Sequence, residues 1–179
     1  TEQYKKNPAI TTVTHRNFNR IDNFSAFLTA SPAVGSWHPQ LTVGVQKQWA
    51  KIEHNGETLQ MDTPLFFCTL NNGIQLPYHW TLSTDINFQS KGDYQNIYMY
   101  QNVFMMNATL TKSFLNEHLS IHLQGIDLTH GRKDGNRIYN KHMNMDVANV
   151  SDSRELRFTI RYKFNTAKSK YKGKGAAAE

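Results

Sequence analysis

The sequence predicts an all-β, antiparallel transmembrane barrel segment of about eight strands, on three observations. Apolar and polar residues alternate with period two along most of the chain, and no segment shows the 3.6-residue period of a helix. Two tryptophans, Trp37 and Trp49, bracket one long alternating segment. Short turns at one end of the strands alternate with longer polar connections at the other, as in barrels that cross a bilayer.

The first candidate strand, Ala9–Asn17, alternates poorly. In the second, Phe24, Ala26, Leu28 and Ala30 oppose Ser25, Phe27 and Thr29. A turn over 31–36 leads to the third, from Trp37 to Trp49. There Leu41, Val43 and Val45 share the tryptophan face and oppose His38, Gln40, Thr42, Gly44, Gln46 and Gln48. Lys47 falls on the apolar face near one end, where a lysine can snorkel to an interface. The twelve steps from Trp37 to Trp49, at about 3.3 Å each and tilted by roughly 40°, rise about 30 Å along a membrane normal. A strand of a soluble sandwich more often stops after about five or six residues.

A polar connection over 53–62 follows. Leu65–Leu70 is apolar on both faces, so its register cannot be read, and 71–77 has the residues of a short turn. From Trp80 to Gln89, Trp80, Leu82, Thr84, Ile86 and Phe88 oppose Thr81, Ser83, Asp85, Asn87 and Gln89. After the polar stretch 90–96, Phe104, Met106, Ala108 and Leu110 oppose Met105, Asn107, Thr109 and Thr111. A turn over 113–116 precedes Leu119, Ile121 and Leu123, which alternate with Ser120, His122 and Gln124. A long connection over about 130–153 leads to the last strand, where Leu156, Phe158, Ile160, Tyr162 and Phe164 oppose Arg157, Thr159, Arg161 and Lys163. Two regions are expected: barrel strands over 1–165 and a Lys/Gly/Ala-rich flexible tail over 166–179.

The bulk properties fit this reading without requiring it. The 179 residues suit one domain, and no apolar run reaches the eighteen residues of a membrane helix. Thr1–Lys6 lacks the apolar core of a signal peptide, so an export signal is expected upstream. A hydrophobic fraction of 39% and a mean hydropathy of −0.62 suit a barrel in which alternate residues meet lipid. The net charge of +6 is spread over loops, strand ends and tail, so no nucleic-acid partner is expected. Cys68 is the single cysteine, which excludes a disulfide framework and the usual cysteine metal sites.

The expected interface residues are the aromatics Trp37, Trp49, Trp80, Phe88, Tyr162 and Phe164. Asp85, Asn87, His118, His122 and Arg161 are expected to face a wet lumen. His118 and His122 share a face, but four residues along a strand separate them by about 13 Å, too far to share an ion. His142-Met143-Asn144-Met145-Asp146 carries soft donors, yet loops gather such residues by chance. Asp127 is placed to stabilise the turn into the long loop, and the basic run 131–137 reads as a solvated loop. No nucleophile–base pair, phosphate loop or paired carboxylates stand out. Catalysis, a cofactor and a bound metal are therefore not expected.

Several runs in order resemble a known family. They are Asn23-Phe24, Trp37-His38-Pro39, Gly44-Val45-Gln46-Lys47-Gln48-Trp49, 89–96, 112–116 and Arg161-Tyr162-Lys163-Phe164-Asn165 with the following 169–176. Together they look like the C-terminal barrel of TonB-dependent receptors of the outer-membrane β-barrel group. The resemblance implies a larger, roughly 22-stranded barrel with an N-terminal plug. It also implies coupling to the inner-membrane TonB complex, with the chain's C-terminus in the periplasm. Outer-membrane lipid and lipopolysaccharide are then the surroundings. The last strand, with Phe158, Ile160, Tyr162 and Phe164, matches the signal that the barrel-assembly machinery reads by strand addition. The plug, the energy-coupling box and the earlier strands are not among these residues, so the ligand is beyond reach. A self-contained eight-stranded barrel of structural or adhesive role is the alternative. A soluble glycan-binding sandwich is a third class.

Overall fold

The computed structural model describes residues 2–7, 10–14, 20–141, 143–150 and 152–164, and every regular element among them is a β-strand. β1 (Glu2–Asn7) and β2 (Ile10–Thr14) pair with each other as a hairpin. The main sheet contains β3 (Ile21–Ala30), β4 (Trp37–His54), β5 (Glu57–Met61), β6 (Leu65–Leu76), β7 (Trp80–Gln89), β10 (Val103–Phe114), β11 (Leu119–Ile126) and β14 (Glu155–Tyr162). Its order is β14-β11-β10-β7-β6-β4-β3, with β5 beside β4, and all pairings are antiparallel. β8 (Gly92–Tyr94), β9 (Ile97–Met99), β12 (Lys133–Tyr139) and β13 (Asn144–Val150) make a second sheet in the order β13-β12-β9-β8.

Several expectations change here. The segment expected as the first barrel strand, Ala9–Asn17, contains β2, whose partner is β1; Ala9 and 15–17 lie outside the described residues. Of the main sheet's eight strands, seven lie side by side. β5 shares one edge of the long β4 with β6, the two separated by Asp62-Thr63-Pro64. The expected turn 71–77 is mostly strand, because Asn71, Asn72 and Gly73 pair with Gln40, Pro39 and His38 on one side and Asp85, Thr84 and Ser83 on the other. Two flanking strands satisfy that backbone, and this outweighs the local turn preference of Asn-Asn-Gly. The long polar connections also carry strands: 53–62 is a hairpin around Asn55-Gly56, whose φ values of 50° and 83° give the twist a two-residue hairpin needs. The stretch 90–96 supplies β8 and 130–153 supplies β12 and β13 of the second sheet, which β9 (Ile97–Met99) completes. The tail 166–179 lies outside the described residues.

The register assembles continuous rows. Trp37, Ile74, Leu82, Leu110, Leu123 and Phe158 follow one another across six strands on one face. The next row along the strands, His38, Gly73, Ser83, Thr109, Gln124 and Arg157, lies on the other. Pairing also resolves Leu65–Leu70: Phe66, Cys68 and Leu70 join Val45, Val43 and Leu41 on the apolar face.

The large apolar side chains of this face are not covered. Leu28, Phe158 and Ile160 are more than 60% exposed, and Phe24 and Phe66 are half exposed. Among the described residues, the buried hydrophobic side chains lie at the loop end, where Ala50, Ile52 and Met61 pack with Ile21, Leu59, Tyr98 and Tyr139, and Leu65 lies close by in sequence. In a soluble sheet the apolar face forms the core. Here the apolar face of the sheet is exposed, and among the described residues the buried apolar cluster lies where the loops meet.

Candidate functional site

Three regions of the sheet combine chemistry with defined geometry: the apolar face, the polar face and the loop end. On the apolar face, the ends are marked by aromatics and lysines together. Lys47 Nζ lies 5.2 Å from the Trp49 ring centroid near the loop end of β4. Lys112 Nζ lies 5.1 Å from the Trp80 ring and 5.3 Å from the Phe114 ring near the short-turn end, and it also donates to the Tyr78 carbonyl. A cation over an aromatic face contributes about 0.5–1 kcal/mol when exposed. Lys112 was not singled out from sequence, although its place in the apolar phase of its strand, like that of Lys47, is a readable signal. Trp37, Trp49, Trp80, Phe88 and Tyr162 all fall on this face by register. Phe164 lies just past β14, 82% exposed, with its ring edge-on to Tyr162 at 4.5 Å. Phe158 and Ile160 of β14 belong to the same face.

Between these ends the apolar face also carries a polar patch. Trp37 Nε1 donates to Asn72 Oδ1 at 3.2 Å, and Asn72 Nδ2 donates to Thr84 Oγ1 at 3.0 Å, so the amide is satisfied within the sheet.

The polar face is stitched across strands. Thr29 and Thr42 hydroxyls are 3.1 Å apart, and Thr69 donates to Asn87 Oδ1 at 3.1 Å. His122 is bonded through both ring nitrogens, to Thr111 Oγ1 at 3.0 Å and Ser120 Oγ at 2.9 Å. Asp85 pairs with Asn71 and Asn107, and Arg161 with Ser120. His118 departs from its expected place on the strand: it lies in the turn over 115–118, because Leu115, Asn116 and Glu117 all take positive φ and the strand starts only at Leu119. Among the described residues no three His, Cys, Asp or Glu side chains gather as a metal site. His142 of the expected soft-donor run lies outside them. Phe27 and Phe67 are the aromatic exception on this face. They flank Gly44, with ring centroids 6.4 Å apart, and a Cβ on Gly44 would come within 2.3 Å of Phe27 Cδ1.

At the loop end, buried polar groups dock the second sheet against the polar side of β4. Gln48, fully buried, grips the β8–β9 turn with both ends of its amide: Nε2 donates to the Gln95 carbonyl at 2.8 Å and Oε1 accepts from Gln95 N at 2.6 Å. Buried Asp93 accepts from Thr63 N at 2.8 Å. The tip of β12–β13 meets the β4–β5 turn through His54 Nδ1 and the Asn140 carbonyl, Asn55 N and the Lys141 carbonyl, and a Lys141–Glu53 ion pair of 3.1 Å. Asp127, as expected, anchors the exit from β11. It is 2% exposed and accepts from Gly131 N at 2.8 Å, Arg132 N, Thr129 Oγ1 and Ser153 Oγ. Burial pushes its pKa up, but the hydrogen bonds from Ser153, Gly131, Arg132 and Thr129 outweigh burial and hold it below the ordinary carboxylate range. Asp146 is also held low, by its two-pronged contact with Arg137 at 2.6 and 2.9 Å. That pair is exposed and adds little to stability.

A sheet with bare aliphatic rows on one face, lysine–aromatic pairs at both ends of them and satisfied polar groups on the other is built to stand in hydrocarbon. No helix among the described residues is long and apolar enough to cross a membrane. The fold and its faces define a membrane β-sheet protein. A family model described as the outer membrane protein beta-barrel family matches residues 1–162, and the chain belongs to that family and to the outer membrane. No curated protein and no solved structure matches the chain.

Proposed function

We propose that these strands form part of the larger barrel of a TonB-dependent receptor, which takes up a ligand across the outer membrane. The observation that carries this reading is the number of strands that lie side by side in the main sheet among the described residues. β3, β4, β6, β7, β10, β11 and β14 alternate in direction, so the edge strands β3 and β14 run the same way. Closing them on each other would need a parallel pairing, whereas bacterial single-chain barrels are even-numbered and antiparallel. Unpaired edges cannot stand in lipid, and on this reading further strands of the larger barrel pair with them. The motif resemblance in Gly44–Trp49, 89–96 and the last strand supports the choice of family within the outer-membrane class.

On this reading the apolar face meets lipid, with Trp37, Trp80, Tyr162 and Phe164 at one interface and Trp49 and Phe88 toward the other. The opposite face, with Asp85, Asn87, His122 and Arg161, lines the lumen or faces a plug. The short turns, and with them the end of β14, lie in the periplasm, and Phe158 to Phe164 present the last strand to the assembly machinery. The role is passage and recognition, not catalysis.

The test is the size of the full-length product in isolated outer membranes. A heat-modifiable band of about 80–100 kDa, the mass of roughly 22 strands plus a plug, supports the receptor. A heat-modifiable band near 20.6 kDa overturns it in favour of a self-contained small barrel.

A further inference from the structure

The aromatic pair on the polar face has no part in the receptor reading so far. Phe27 and Phe67 stand where alternation calls for polar side chains. Register brings them into one row, Phe27, Gly44, Phe67 and Gln89. Gly44 has no side chain, so the Phe27 ring lies over its backbone, and the two ring centroids stand 6.4 Å apart. Phe27 remains 63% exposed. The second sheet begins beside this row: Gln89 Nε2 donates to Met99 Sδ of β9, and Gln48, further along β4, holds the β8–β9 turn.

The next row toward the short turns is Thr29, Thr42, Thr69 and Asn87. It lies about 6.6 Å from the aromatic row, and neighbouring strands are about 4.8 Å apart. The Thr29 and Thr42 hydroxyls bond each other, and Thr69 occupies Asn87 Oδ1 but not its Nδ2 donors. Neither row contains an ionisable side chain; Asp85 stands one row further on.

These two rows discriminate between ligand chemistries. A charged ligand finds no counter-charge in them. A wholly apolar ligand covers the rings but strips water from hydroxyls and amides that it cannot pair, at about 1–3 kcal/mol for each group. A neutral polyhydroxylated ring suits both rows. Its C–H groups, slightly positive, lie on the negative faces of the aromatic rings, and its hydroxyls bond the threonines and Asn87. Carbohydrate carries those two surfaces on one rigid unit.

We propose that the Phe27–Phe67 pair and the Thr69–Asn87 row form a binding subsite for a neutral oligosaccharide. This inference rests on the receptor reading, in which the polar face lines the passage, and it supplies the class of ligand.

The experiment screens the full-length protein in detergent on an array of immobilised neutral oligosaccharides and their sulfated counterparts. The neutral oligosaccharide retained most strongly is then titrated calorimetrically. The wild type is expected to retain neutral forms in preference to sulfated ones. Phe27→Ala/Phe67→Ala is expected to bind at least about tenfold more weakly, through the loss of two aromatic contacts. Phe27→Tyr/Phe67→Tyr is expected to keep the binding, as is Phe66→Ala on the apolar face, and heat-modifiable mobility checks that each variant is folded. Retention of no neutral oligosaccharide, or preference for the sulfated forms, overturns the proposal. Unchanged binding by the alanine variant also overturns it, and lower stability of that variant would then assign the pair to packing against a plug. The two readings fail separately. Absent or pair-independent binding by a product of about 80–100 kDa removes the ligand class and leaves the receptor. A product near 20.6 kDa removes both.

Discussion

Replacing Val43 with arginine tests whether the exposed apolar face stands in lipid. Val43 lies midway between Trp37 and Trp49 on β4, paired with Leu28 and Cys68, and is 38% exposed. Six residues at about 3.3 Å, tilted by roughly 40°, put it about 15 Å from either tryptophan along the membrane normal, close to the midplane. An arginine at the midplane of a barrel's lipid face costs about 2–4 kcal/mol. That lowers the folded-to-unfolded ratio by roughly 30- to 800-fold. The neighbouring Thr42 faces the other way, bonded to Thr29. Its replacement by arginine removes one neutral hydrogen bond, worth about 1 kcal/mol, and leaves the charge in a wet environment. The assay is reversible denaturant unfolding of the full-length protein in phospholipid vesicles, followed by tryptophan fluorescence. If the face met water, a site as open as Val43 would take arginine within about 0.5 kcal/mol. Equal, small losses for Val43→Arg and Thr42→Arg would therefore refute the assignment of faces.

Other consequences can be measured in the same system. Gly44→Ala should push the Phe27 ring off Phe67 and cost about 1 kcal/mol, and the penalty should vanish in a Phe27→Ala background, as a double-mutant cycle would report. Gln48→Leu leaves Gln95 N–H and C=O without their partners, at about 1–3 kcal/mol for each group left unpaired. Hydrogen exchange should speed up in β8 and β9 and not in β7. The folded pKa of Asp127 is lowered, so its stabilisation is fully present above the unfolded value of about 3.9 and is lost as pH falls through the folded value. Proteolytic protection of 127–153 should hold from neutral pH to about 4 and drop below that, whereas Asp127→Asn should show weaker protection without that acid step.

Much of the sheet was legible because period-two alternation survives wherever both faces meet different media. Trp80–Gln89 and Leu156–Tyr162 needed nothing more. The sequence was unreadable where two faces were alike, as in Leu65–Leu70, since pairing with β4 alone decides which of Phe66 and Phe67 lies on the apolar face. It misled at Asn71-Asn72-Gly73, where local turn chemistry gave way to two flanking strands. The Asn55-Gly56 hairpin carried its signal in plain view, whereas the small sheet of β8, β9, β12 and β13 joins segments far apart in sequence. The faces of the interface aromatics followed from alternation. The docking side chains Gln48 and Asp93 did not, because their partners are backbone groups of distant segments.

β4 obeys two opposite hydrophobic codes along its length. In its first part the odd-numbered Trp37, Leu41 and Val43 are apolar and exposed; beyond Gln48 the even-numbered Ala50 and Ile52 are apolar and buried, while Lys51 and Glu53 take the outer side. A single unbroken strand thus changes solvents, and the phase of its pattern slips by one residue where it does so. The slip falls at Lys47–Trp49, so the strand carries its own waterline, fixed by which side of the ribbon is oily and independent of any count of aromatic residues. A substitution that moved the slip by two residues would be expected to raise or lower this part of the sheet in the bilayer by one step of the pleat.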